Sequence, residues 1–138
     1  MARGLLPLLA LAVALAAGRP GEAAVFPRDT PPGQCHWVHG RMALYNGTFS
    51  FRIWVIGTHR MLRVVDKDGD NFNDLDQLPP ALSRALAGYR DDVLRISSDL
   101  VFADYRICAF TRSRHGVMQS VTLEDARHVR IDKAPPPE

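Results

Sequence analysis

The chain is poor in the features that announce a catalyst or a membrane protein. It has only two cysteines, Cys35 and Cys108, among 138 residues. A lone pair excludes a disulfide-dense scaffold, and no CxxC motif or Cys–His spacing of a known type accompanies it. The G-x-S-x-G elbow, the H-E-x-x-H zinc helix and the phosphate loop are all missing, so the familiar enzyme signatures lend no support to catalysis. Long apolar runs are equally scarce. Beyond residue 24 no stretch approaches the ~20 apolar residues of a membrane-spanning helix. An excess of one charge is absent as well. The formal net charge is +2, and without residues 1–24, which carry Arg3, Arg19 and Glu22, 15 basic side chains stand against 14 acidic ones. That near-neutral balance argues against bulk nucleic-acid binding.

What is present begins with an address. In MARGLLPLLALAVALAAGRPGEAA an Arg precedes an apolar run from Leu5 to Ala17, and small residues follow. This is the order of a secretory signal peptide over residues 1–24, with cleavage after Ala17 or near Ala23–Ala24. The mature chain is then exported, periplasmic or extracellular, with no transmembrane segment. No Cys sits at the end of the run, which argues against a lipid anchor. In an exported chain the Cys35 and Cys108 pair reads as one structural disulfide closing a long loop. Residues 25–34, rich in Pro, read as an extended lead-in, residues 35–132 as a single β-rich domain, and residues 133–138, ending in APPPE, as a disordered tail.

The stretch YNGTFSFRIWVIGTHRML organises that domain. Asn46–Gly47 is the preferred dipeptide of a two-residue type I′ hairpin, and Gly57–Thr58 suits a type II′ turn. Closing the first turn at 46–47 pairs Leu44 with Phe49, Met42 with Phe51, Gly40 with Ile53 and Val38 with Val55. Every residue on that side is apolar or Gly. The second turn brings Leu62 beside Ile53 and extends the apolar face, with Arg60 as an exception near the sheet end, where a long side chain reaches water. Further on, PPALSRALAG reads as a short helix with Pro in its first turn and Gly88 as its stop. VFADYRICAF alternates like a strand, and residues 117–123 and 128–131 carry strand spacing interrupted by a bulge or bend at EDA. The fold expected is mainly β with one short helix, a small α+β domain. Its five strands form a curved sheet or an OB-like barrel that starts with a three-stranded meander.

The second face of the meander is basic. The two turns place Arg41 opposite Arg52 and Arg52 opposite Arg63, with His39 and Met61 flanking Trp54. Like charges directly opposite in a sheet are destabilising unless something negative is near. Two readings stand. Carboxylates from residues 66–76, Asp91–Asp92, Asp99 or Asp104 fold back over the row. Alternatively the partner is external, an anionic small molecule or an acidic protein surface, held by Arg41, Arg52, Arg63, Trp54 and His39.

VDKDGDNFNDLDQL sets Asp66, Asp68 and Asp70 at alternate positions. Calcium is the cation such a loop suits. Against the EF-hand template, Asn71 stands where Gly is wanted and Gln77 where a bidentate Glu is wanted, and the loop follows a strand instead of a helix. A solvated or arginine-neutralising loop therefore competes with a calcium site, and no other cofactor is implied. His115 and His128 have no ligand pattern around them. Asn46–Gly47–Thr48 also fits a glycosylation sequon, which a tight turn there disfavours.

The segments HGRMALYNGTFSFRIWVIGTHRML and CAFTRSRHGVMQSV resemble motifs of an uncharacterised group of small exported bacterial proteins. The resemblance implies export and assigns no catalytic residue. The function expected is a non-enzymatic binding module for an anionic ligand or acidic partner. The alternatives are a structural or stress-related envelope protein with a calcium-stabilised acidic loop, and a hydrolase of unfamiliar type.

Overall fold

A computed structural model describes residues 26–45, 47–72 and 74–135. The signal-peptide reading of residues 1–24, the sequon at Asn46 and the end of the tail at 136–138 lie outside the described residues. Five strands are present: β1 (Cys35–Tyr45), β2 (Ser50–Val55), β3 (Met61–Val64), β4 (Leu100–Ala109) and β5 (Ser120–Asp132). One helix, α1 (Pro80–Ala85), and three short 3-10 turns fill the connection from β3 to β4. The strands close into a ring in the order β1-β2-β3-β5-β4, so each has two neighbours. With the helix between β3 and β4, that is the strand-and-helix order of an OB-type fold. All pairings are antiparallel except β3–β5, whose register extends over Arg63↔Ser120 and Val64↔Val121 alone.

Alternation sorts the meander as expected. Met42, Phe51, Ile53, Leu62 and Val64 are fully buried, while Arg52, Trp54, Met61 and Arg63 sit half-exposed on the other face. The second turn has the expected register, with Arg52↔Arg63, Ile53↔Leu62 and Trp54↔Met61. The first does not. Residues 46–49 form a four-residue connection, Tyr45 pairs with Ser50, and Gly40 faces Val55 instead of Ile53. The slip is two residues. A two-residue slip keeps every inward side chain inward, so hydrophobic segregation is blind to it. The longer connection places Phe49 at φ 42°, a left-handed conformation that bulky residues seldom adopt.

Gly40 sits at a close approach within the ring. A Cβ there would lie 2.6 Å from Ile53 Cγ2 and 3.2 Å from both Tyr105 Cδ2 and the Trp54 carbonyl oxygen. Tyr105 fills this space because its hydroxyl, fully buried, donates to the Val101 carbonyl at 2.6 Å. Burial pushes its pKa far up. Gly40→Ala is expected to cost about 1–3 kcal/mol by overpacking, read as a lowered urea midpoint at unchanged slope. A midpoint unchanged from the parent chain would refute the close fit.

One end of the ring is closed by the helical connection, which adds Leu75, Leu78, Leu82, Leu86, Tyr89 and Ile96 to the core. Asp99 pins this end. Its buried carboxylate accepts from the Tyr89 hydroxyl at 2.6 Å and from Ala134 N–H at 2.7 Å. The Tyr89 hydrogen bond, then that of Ala134, holds its pKa below the usual carboxylate range. The lead-in is also packed, folding through two turns with Phe26 in the core.

Arg60, expected to reach water, is instead buried at 9% exposure. Its guanidinium donates to the Phe26 carbonyl and to Gln119 Oε1, and lies 5.1 Å over the Phe26 ring. Burial, and secondarily Arg28, lowers its pKa. The reason for the difference is Phe26, which arrives from a segment with no strand pattern and caps the sheet end. β5 is one strand across the EDA segment, and the irregularity expected there is a bulge between Leu123 and Asp125. The strand absorbs two register shifts against β4, between Phe102 and Asp104 and between Arg106 and Ile107. Cys35 and Cys108 form the expected disulfide across directly paired positions of β1 and β4. No helix among the described residues is long and apolar enough to cross a membrane.

Candidate functional site

The outer face of β2 and β3 carries an open cavity of about 690 Å³, within the usual size range of small-molecule sites. Three layers of chain build it. Arg52 and Arg63, directly paired across the two strands, form the floor, and Ser120 opens β5 beside Arg63. Thr48 from the β1–β2 connection and Asn71 from the β3–α1 loop form one rim, held together by an Asn71 Nδ2 bond to the Thr48 carbonyl at 3.4 Å. Thr111, Arg112, Arg114, Val117 and Met118 from the β4–β5 loop form the other. This loop is a small folded unit. Arg114 bridges Val117, Gly116 takes φ 74°, and Thr111 Oγ1 accepts from Ser120 N–H at 3.0 Å.

The guanidinium groups of the floor are oriented by neutral partners. Arg63 Nε donates to Ser120 Oγ at 3.1 Å. Arg52 donates from Nε to Ser50 Oγ and from Nη2 to Thr48 Oγ1, each at 3.3 Å, and its Cζ lies 4.5 Å from the centroid of Tyr45. Each guanidinium has five N–H donors, so both keep donors for another acceptor. Among the described residues, no carboxylate lies within ion-pair distance (4.0 Å) of Arg41, Arg52, Arg63, Arg112 or Arg114.

Several of the acidic side chains expected over the row are engaged elsewhere. Asp66 Oδ1 accepts from the N–H groups of Asp68 and Asp70 at 2.8 and 2.9 Å. The Asp70 bond is the main reason its pKa is lowered. Asp68 pairs with Lys67 and Asp76 with Arg90. The acidic loop thus closes on its own backbone instead of covering the arginines. Asp66, Asp68 and Asp70 are not gathered as a calcium cage, and no cluster of three or more potential metal ligands occurs among the described residues.

The two-residue slip moves Arg41 out of the expected row. It lies opposite Trp54, with Cζ 4.7 Å from the indole centroid. Trp54 is anchored by an Nε1 bond to the Thr58 carbonyl at 2.7 Å. Arg41, Trp54, Thr58, His59 and Met61 border a second depression. His39 turns away to β4, donating from Nδ1 to Asp104 Oδ1 at 3.0 Å. His128 reaches the other oxygen at 2.8 Å from a left-handed backbone position, φ 55°. These two imidazoles hold the Asp104 pKa down, that of His128 most strongly. A bulge that re-aims a side chain accounts for the placement of His128.

The structure therefore brings Arg52 and Arg63 together, sets Arg41 with Trp54 at the next position, and separates His39. Sequence reasoning missed Arg112 and Arg114. Their signal was TRSRHG, basic residues without an acidic neighbour in a connection between two strands. No family model matches the chain, and neither does a curated protein or a solved structure.

Proposed function

We propose that the protein is an exported, non-enzymatic binding module that holds an anionic ligand between Arg52 and Arg63 on the sheet and Arg112 and Arg114 on the β4–β5 loop. One observation carries the reading. Four guanidinium groups border a single open cavity, and the two on the sheet, Arg52 and Arg63, have neutral hydroxyls and an aromatic ring as local partners instead of carboxylates. Opposed like charges are unfavourable in the ligand-free sheet, and a bound anion relieves that repulsion. Arg presents a planar fork to carboxylate, phosphate or sulfate, and such charge-assisted bonds are roughly twice as strong as neutral ones. The position also suits binding, because OB-type folds use the face of strands 2 and 3 with the loops 1–2 and 4–5, an analogy at the level of fold. The signal-peptide-like order of residues 1–24 in the sequence and the cystine support export.

Thermal melting with added phosphate or citrate tests the reading. Stabilisation should rise with anion concentration, because only the folded chain offers the cavity. Arg63→Ala is expected to weaken binding about tenfold, as the loss of one charge-assisted contact requires. Arg52→Ala combined with Arg63→Ala should abolish it. An anion effect that persists undiminished in the folded double variant, or no effect of any anion on the parent chain, would discard the site.

A further inference from the structure

We infer that the ligand is a linear acidic polysaccharide, a chain of uronate sugars lying along β2 and β3 from the Arg52/Arg63 cavity to the Arg41–Trp54 depression. The inference rests on the anion-binding reading and extends it by one neighbouring subsite.

Residues two apart on a strand share a face and stand about 7 Å apart. Arg52 and Trp54 are consecutive outward positions of β2, and Met61 and Arg63 are consecutive outward positions of β3. Arg41 faces Trp54 from β1. The cationic cavity and the second depression are therefore successive tiers of one surface, the first with four arginines and the second with Arg41. Arg112 and Arg114 border the first tier on the side of the β4–β5 loop. A compact dianion fills one tier and leaves Arg41 unused. A chain with a negative charge recurring every sugar or two satisfies both.

The chemistry between the charges selects the polymer. Thr48, Asn71, Thr111 and Ser120 intersperse hydroxyl and amide groups among the guanidiniums. Neutral donors and acceptors next to cations match sugar hydroxyls next to carboxylates. Single-stranded nucleic acid is held differently, by bases stacked on free aromatic faces. Here Arg41 covers the Trp54 ring and Arg52 covers the Tyr45 ring.

Calorimetric titration at low salt with glucuronate, a tetrauronate and an octauronate tests the inference, with citrate as the small-anion reference. The tetrauronate is expected to bind at least about tenfold more tightly than glucuronate, since it gains one further charge-assisted contact. Arg41→Ala should reduce that ratio to about threefold or less. Met61→Glu, which adds a carboxylate to the depression without truncating a side chain, should do the same, and a melting curve confirms that each variant is folded. Citrate and glucuronate binding without any gain in length would overturn the polysaccharide while leaving the anion site intact. Failure of every anion, citrate included, would remove the site itself and the inference with it. Polyphosphate or oligothymidylate of matched charge binding as tightly as the octauronate would overturn the assignment to a sugar polymer.

Discussion

Replacing Cys35 and Cys108 together by Ala should remove about 4 kcal/mol of folding stability, the amount expected when a closed loop of this length is opened in the unfolded chain. The bridge joins residues 73 apart in sequence, so it restricts a large share of the unfolded ensemble. In the native state it lies where β1 and β4 already pair. Hydrogen bonds from Gly33 N–H to the Ala109 carbonyl at 2.7 Å and from Ala109 N–H to the Gln34 carbonyl at 3.0 Å flank it. Those contacts survive loss of the bridge, so the folded state should change little and the cost should fall on the unfolded side. A domain of this size has about 5–15 kcal/mol in total. The double variant should therefore remain folded but melt roughly 15 °C lower. Reduction of the parent chain should give a similar shift. Guanidinium denaturation gives the free energy directly. A loss under about 1 kcal/mol would mean that the unfolded chain is already compact enough to make the bridge redundant.

The pairing of the cysteines was legible in the sequence because an isolated pair in an exported chain has one simple use. So was the inward face of the meander, where alternation alone places Met42, Phe51, Ile53 and Leu62. Register was legible at the second reversal, which is centred on Gly57–Thr58 although four residues separate the bonded Val55 and Arg60. Gly57–Thr58 fixed Arg52 opposite Arg63, whereas the connection at 46–49 is longer than Asn46–Gly47 implies and carries Arg41 to Trp54. Nothing in hydrophobic patterning distinguishes registers that differ by two.

Contacts between distant segments were harder still. His39 has its Asp104 partner 65 residues away, and Arg60 meets Phe26 and Gln119 at separations of 34 and 59. Those pairings depend on ring closure through β4 and β5, which local periodicity does not encode. Arg112 and Arg114 stood in a loop, where no period exists to read. The candidate site is consequently a composite, half foreseeable from one hairpin and half supplied by a loop that only the β3–β5 seam brings alongside.

Arg60 links that seam to the rest of the protein, and Arg60→Met should show it. The side chain joins Phe26 of the lead-in to Gln119, and Gln119 Nε2 in turn donates to the Thr111 carbonyl at 2.8 Å. Methionine fills much of the same volume but offers no donor. The Phe26 carbonyl and Gln119 Oε1 would then be left without that donor in a buried setting, at about 1–3 kcal/mol for each unsatisfied group. Two effects oppose the loss. Desolvation of a buried cation is relieved, and so is repulsion from Arg28, which lowers the Arg60 pKa. At a near-surface effective dielectric, repulsion between groups several ångströms apart is at most a few kcal/mol and is further reduced by salt. The unsatisfied acceptors should dominate, for a net loss of about 2–3 kcal/mol by denaturant titration. Because Gln119 precedes Ser120 and holds Thr111, the same substitution should also weaken anion binding by several-fold (about 1 kcal/mol), although Arg60 does not border the cavity. Arg60→Lys should fall between the two, since one ammonium does not reproduce the fork that spans Phe26 and Gln119. A destabilised Arg60→Met chain with unchanged anion affinity would show that the β4–β5 loop holds its arginines in place without help from this buried contact.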